Sequence, residues 1–224
     1  MPAYFYPWPA STWWQQFAVL RPGSVVIINP ASGPGDAVDA RYSAVIEKAK
    51  NRGLIVFGYV DSDYGAIEVD HIADEIDRHR SWYSVDGIFL DRVAPDVSSL
   101  PYYAGIAGPI HDAGMSVAFN AGQPQVDIRY AEVADHLVVF EGPLSSYADC
   151  VFPRWSADVA PDRLWHLVYG VATEEEMHRV VARAAASNAG IVFVTDGILP
   201  NPWDHLPPYW DSEQRLLDET SPGG

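Results

Sequence analysis

Eight short runs of β-branched and aromatic residues, set along nearly the whole chain with helical patterns between them, leave this sequence few folds. They read AYFYPW (3–8), SVVIINP (24–30), LIVFGYV (54–60), GIFLD (87–91), SVAFNAG (116–122), HLVVFEG (136–142), LWHLVYG (164–170) and GIVFVTDG (190–197). Their apolar residues are nearly continuous rather than alternating, which suits parallel strands covered on both faces. Residues 36–53 place Val38, Tyr42, Val45, Ile46 and Ala49 at helical spacing, with Asp36 as the expected cap and Gly53 as the stop. Residues 66–83 repeat the pattern with Val69, Ile72, Ala73 and Ile76. Residues 98–114 are interrupted by proline and end on Gly114, and 173–190 open on Thr173 and three glutamates, which complement a helix dipole. Shorter helices are expected within 11–21 and 124–134, and an irregular link is expected between the sixth and seventh strands.

Eight βα units in one chain of 224 residues predict a single (β/α)8 TIM-type barrel over 1–224. Within it, 198–224 reads as a proline-rich loop, a short helix and a frayed tail. An open doubly wound sheet is the alternative, but no GxGxxG turn follows the first strand.

Charge and motif content exclude several functions. Fourteen basic residues against 30 acidic ones give a net charge of −16, a surface that repels nucleic acid and anionic lipid. No apolar run approaches the roughly 18 to 20 residues that span a bilayer, so neither a nucleic-acid nor a membrane partner is expected. A monomer is expected. The N-terminus has no basic n-region and no long apolar stretch, which places the protein in the cytoplasm if the chain is complete and outside the cell if a leader was removed. The single cysteine, Cys150, excludes an internal disulfide and follows Asp149, an environment for a quiet thiol. The seven histidines show neither HxH nor HExxH spacing, so no metal and no cofactor are expected. His166 reads as a core residue and His111 as a helix-end residue. There is no GxSxG elbow and no GxxxxGK loop, and SGPGDA (32–37) reads as a connecting loop.

In parallel barrels the active site lies at the C-terminal ends of the strands. Those ends carry Tyr6 and Trp8, Asn29, Tyr59 and Asp61, Asp91, Asn120, Glu141, Tyr169, then Thr195 and Asp196. So many polar and aromatic groups on one rim predict a pocket for a polyhydroxylated ligand. Asp91 and Glu141 stand out, each closing an unbroken apolar stretch two strands apart. Strands so placed are separated by about 9 to 10 Å, and inward side chains bring their carboxyls within glycosidase range. Two carboxyls in one desolvated site split their pKa values into an acid and an ionised partner. The competing reading makes them strand-end carboxylates that cap loops.

Taken together, YFYPWP, INPASGPG, GYVDSDYG, DGIFLD, FNAGQP and VFEGP resemble, in this order, the motifs of the spherulin-4 family, over roughly residues 4–197. The resemblance implies a (β/α)8 glycoside hydrolase of the endo-α-1,4-N-acetylgalactosaminidase type, acting on an amino-sugar exopolysaccharide of biofilms. It aligns Asp91 and Glu141 with the family's strand-four and strand-six acids, as nucleophile or charge stabiliser and as general acid/base, with the reverse assignment open. Asn29, Tyr59, Asp61 and Asn120 would then bind sugar hydroxyls or the acetamido group. Tyr6, Trp8 and Trp203 would stack on sugars, with Tyr169 and Asp196 also at the substrate rim. The family usually has a second acid directly after the strand-four aspartate, and here Arg92 holds that place. Strand alternation turns Arg92 away from Asp91, where it holds a loop or pairs with Asp96 at the edge of the substrate site. The alternative is a carbohydrate-binding barrel that has lost catalysis, with Arg92 as its mark.

Overall fold

The computed structural model describes residues 1–8 and 13–220. Eight strands run in parallel and in chain order: β1 (Pro2–Ala3), β2 (Val25–Ile28), β3 (Ile55–Asp61), β4 (Gly87–Asp91), β5 (Ser116–Asn120), β6 (His136–Pro143), β7 (Leu164–Tyr169) and β8 (Ile191–Val194). The helices are α1 (Trp13–Gln16), α2 (Ala40–Asn51), α3 (Val69–Arg78), α4 (Leu100–Asp112), α5 (Tyr130–Val133), α6 (Leu144–Ala148), α7 (Glu174–Ala186) and α8 (Trp210–Thr220). The architecture is therefore α/β with an eight-stranded parallel sheet. Among the described residues no strand pairing joins β8 back to β1. That seam is crossed by the chain that follows β8: the Tyr4 N–H donates to the Trp203 carbonyl at 3.1 Å. After β8 the chain runs through Leu199–Pro202 into α8, and the end of the segment 198–224, where a frayed tail is expected, lies outside the described residues from 221 on.

Three local expectations shift. The first run yields a strand of only two residues, Pro2–Ala3: the next N–H, that of Tyr4, goes to the Trp203 carbonyl instead of to β2, and the chain then folds back with Trp8 N–H on the Tyr6 carbonyl at 2.8 Å. Helix α2 starts at Ala40, and Asp39 rather than Asp36 caps it by accepting from the Arg41 N–H at 2.8 Å. The helix expected over 66–83 ends as α3 at Arg78 and continues as a π turn, His79–Tyr83, which Ser84 terminates in a left-handed conformation. The cap at Thr173 forms as expected, in a reciprocal capping box with Glu176.

Strand alternation sorts side chains between an interior and a helix-facing layer. Phe57, Phe89 and Trp165 meet inside, with Phe89 stacked on Trp165 at a centroid distance of 6.1 Å. The same phase carries Tyr59 and Asp61 on β3, Asp91 on β4 and Asn120 on β5 toward the C-terminal mouth. On β6 uninterrupted alternation from His136 and Val138 would place Phe140 inside and Glu141 outside. The pairing of β6 with β7 slips between Val138 and Phe140: Val138 opposes Trp165, yet Phe140 opposes His166 and Glu141 opposes Leu167. This bulge reverses the phase. Phe140 packs outward on Tyr147, and Glu141 turns into the mouth.

The outer face of β3 lies so close to the π turn that a Cβ on Gly58 would sit 2.5 Å from the His79 ring. His79 is buried and its Nε2 meets the Tyr59 carbonyl at 2.8 Å, which ties the π turn to the strand that carries Tyr59. Gly58→Ala is expected to lower stability by about 1–3 kcal/mol, the usual effect of overpacking. Urea unfolding should show this as a reduced midpoint with an unchanged slope.

Candidate active site

At the strand ends a cleft of about 870 Å³ opens. At its floor, one side-chain nitrogen links the two acids singled out above. Asn120 Nδ2 donates to Asp91 Oδ1 at 2.6 Å and to Glu141 Oε2 at 2.5 Å. An amide nitrogen has two hydrogens, so one residue satisfies both carboxyls. With bonds of 2.6 and 2.5 Å to a common nitrogen, these two oxygens lie no more than about 5 Å apart. The second oxygen of Asp91 accepts from the Tyr59 hydroxyl at 2.8 Å. Each donor is placed by its strand: Tyr59 and Asn120 point inward from β3 and β5, the two neighbours of β4.

Burial and mutual repulsion divide the pair. Glu141 is pushed up to about 7, first by desolvation and then by the negative charge of Asp91, while bonds from Asn120 and Trp203 oppose the rise. Burial also raises Asp91, but hydrogen bonds from Tyr59, from its own loop backbone at Arg92 and from Asn120 favour its charged form. The two environments set the carboxyls apart, Glu141 as the readier to hold a proton and Asp91 as the better compensated anion. The Tyr59 hydroxyl is raised by burial and by Asp91, so it stays a neutral donor.

Of the residues expected at the rim, Asn29, Tyr59, Asp91, Arg92, Asn120, Glu141, Tyr169 and Trp203 line this one cleft. Trp203 is only 4% exposed, meets Tyr169 edge-on and hydrogen-bonds Glu141, so its indole acts as a buried donor rather than an open plate. The Asn29 side-chain oxygen accepts from the Gly33 N–H at 2.9 Å and shapes the loop after β2.

Four others lie elsewhere. The Tyr6 hydroxyl donates to Asp39 at 2.6 Å, Trp8 leans on Tyr6 and the Arg41 guanidinium, and neither lines the cleft. Asp61 is occupied by Arg92, and Asp196 meets His205 at 3.1 Å. Arg92 pairs not with Asp96 but with Asp61 through two nitrogens and with Asp63 at 2.8 Å, while Asp96 accepts the Ser98 N–H. His166 is buried on the outer face of β7 against Phe152 and Tyr147, and His111 meets Asp135 at the end of α4.

Sequence reasoning missed Tyr4, Tyr64, Gln123 and the segment Leu199–Pro202, all of which line the cleft. Tyr4 was detectable in principle. The pairing of β1 with β2 stops at Ala3, which makes Tyr4 rather than Tyr6 the first side chain beyond the strand, edge-on to Tyr59 at 5.6 Å.

Comparison with known proteins agrees with this architecture. The structure of Aspergillus clavatus Sph3 in complex with GalNAc superposes with a TM-score of 0.82 at 23% identity, covering 96% of this chain and 94% of that one. A chitinase from Chromobacterium violaceum superposes with a TM-score of 0.58 at 11% identity, covering 96% of this chain and 98% of that one. At these identities the likeness is one of fold. Spherulin-4 of Physarum polycephalum is 31% identical over 142 residues, which are 61% of this chain and 42% of that protein, so the match spans less than half the relative's length. The model of Spherulation-specific family 4 matches residues 1–216, and the chain belongs to that family.

Proposed function

We propose that this protein is a glycoside hydrolase that cleaves an amino-sugar polysaccharide of the α-1,4-galactosamine type through Asp91 and Glu141. The sheet is taken as a TIM-type barrel working at its C-terminal face. The observation that carries the reading is the Asn120 amide held between two carboxyls, whose bridged oxygens lie no more than about 5 Å apart. Retaining glycosidases hold their carboxyls about 5–5.5 Å apart and inverting ones about 6.5–9.5 Å. The retaining geometry is therefore favoured.

The chemistry follows from the split of charge. Glu141, holding the proton, gives it to the glycosidic oxygen as the bond to the anomeric carbon breaks. Ionised Asp91 attacks that carbon from the opposite face and forms a glycosyl ester. Glu141, now ionised, takes a proton from water, whose oxygen displaces Asp91 and returns it as a carboxylate. In an α-linked 2-acetamido sugar the acetamido group is cis to the leaving oxygen and cannot attack from the opposite face. In the retaining course the nucleophile then comes from the protein, and Asp91, the better compensated anion, takes that role. The Tyr59 hydroxyl and the Asn120 amide hold Asp91 ionised and aimed. The match to Sph3, whose structure holds GalNAc, supports an amino-sugar ligand. The binding-only alternative draws on Arg92, but that guanidinium is engaged by Asp61 and Asp63 rather than by the pair.

Incubation with galactosaminogalactan should release reducing ends. Glu141→Gln and Asp91→Asn should each lower the rate by about 10²- to 10⁴-fold. Polymer binding without product, unchanged in both variants, would overturn the enzyme reading. The kcat/KM profile of the wild type should fall above about pH 7 as Glu141 loses its proton. It should also fall on the acid side as Asp91 gains one.

The same proton bears on stability. A carboxyl whose pKa is higher folded than unfolded contributes stability that is complete below the unfolded value and lost as pH rises through the folded one. For Glu141 that loss builds up between the ordinary value of 4.5 and about 7, and is complete above it. Glu141→Gln should raise stability at pH 8 by about 1–3 kcal/mol and have little effect at pH 4. Thermal melts at the two pH values check this, and equal effects at both would contradict it.

A further inference from the structure

Tyr64 has no part in the core, yet the backbone is strained to present it. Asp63, Tyr64 and Gly65 have φ of 43°, 56° and 86°, three left-handed residues in succession. For non-glycine residues that conformation is costly and persists only where the surroundings enforce it, which is typical of ligand-binding segments. The enforcement comes from the end of β4. The Ser62 hydroxyl lies 2.9 Å from both the Asp91 and the Arg92 carbonyls, and the Tyr64 N–H donates to the Arg92 carbonyl at 2.7 Å. Arg92, itself left-handed at φ 51°, sends its guanidinium to Asp61 and Asp63 and lies 5.8 Å from the centre of the Tyr64 ring.

The product of this clamp is an aromatic ring at the cleft wall that is 61% exposed, while Tyr59 and Trp203 are 8% and 4% exposed. The inner aromatics are occupied: Tyr59 by Asp91 and Trp203 by Glu141. A fixed, open ring beside a polar cleft is what the apolar C–H face of a pyranose stacks on.

We propose that Tyr64 is the stacking platform of an outer sugar subsite, and that Arg92 is the positioning residue that holds it against the cleft. This rests on the glycan reading above and adds where the chain beyond the cleaved unit is gripped. Arg92 then sets chain-length preference without touching the reacting bond.

The test is calorimetric titration on the Glu141→Gln background, with N-acetylgalactosamine and its α-1,4-linked hexamer as probes. Tyr64→Ala should weaken the hexamer about tenfold, in line with the worth of one aromatic contact, and leave the monosaccharide unchanged. Tyr64→Phe should retain hexamer affinity. Arg92→Ala should weaken the hexamer too, but add little in the Tyr64→Ala background, because both act through one ring. In the active enzyme the polymer KM should rise with kcat nearly constant. Unchanged hexamer affinity in Tyr64→Ala, or equal loss for both probes, would overturn the subsite alone. Binding of neither probe without these changes would overturn the glycan reading together with it.

Discussion

One amide nitrogen holds together the two acids at the floor of the cleft. Asn120 donates to Asp91 and Glu141 at once, and holds two buried acids closer than their charges would tolerate if both were ionised. Burial and that repulsion favour a proton on the pair, and Glu141 is the readier to hold it because Asp91 has hydrogen bonds from Tyr59, the Arg92 backbone and Asn120. Everything around the pair serves that asymmetry. Tyr59 adds a neutral donor to Asp91 alone, and the Asp91 backbone is fixed by the Ser62 N–H and hydroxyl.

That arrangement depends on the phase of three strands. Asp91 and Asn120 come inward by simple alternation along β4 and β5. Glu141 comes inward only because β6 carries an extra residue between its pairings with Trp165 and His166. A β-bulge that re-aims a side chain into a cleft is a recurrent device, and here it brings Glu141 inward beside Asp91 instead of leaving it on the outer face. Arg92 follows a related logic on β4. Its left-handed φ ends the strand, and its side chain turns from Asp91 to bind the carboxylates of Asp61 and Asp63.

Much of this was legible in the residues. The run Gly87–Asp91 is both the apolar pattern and the strand, because its polar end coincides with the mouth. Asn120 and Tyr59 were readable for the same reason. Glu141 is legible as a strand-end acid, but its inward direction does not follow from alternation, since the bulge at Val139 leaves no mark in the sequence. Tyr6 and Trp8 were taken for the rim because AYFYPW reads as one strand, whereas two paired residues exhaust it and pass the mouth position to Tyr4. The partners of Arg92 were hidden by distance, as Asp61 lies on a neighbouring strand 31 residues back. Closure between β8 and β1 was expected from the count of eight units, yet the return segment, rather than a strand pair, crosses that seam.

The division of one proton between two carboxyls can be observed without substrate. Carboxyl-region difference infrared spectroscopy across pH should show a protonated side chain that titrates near pH 7. That band should be absent in Glu141→Gln, and should titrate at lower pH in Asp91→Asn, where the neighbouring charge is gone. Two carboxyls that both ionise below pH 5, indifferent to each other's replacement, would contradict the account.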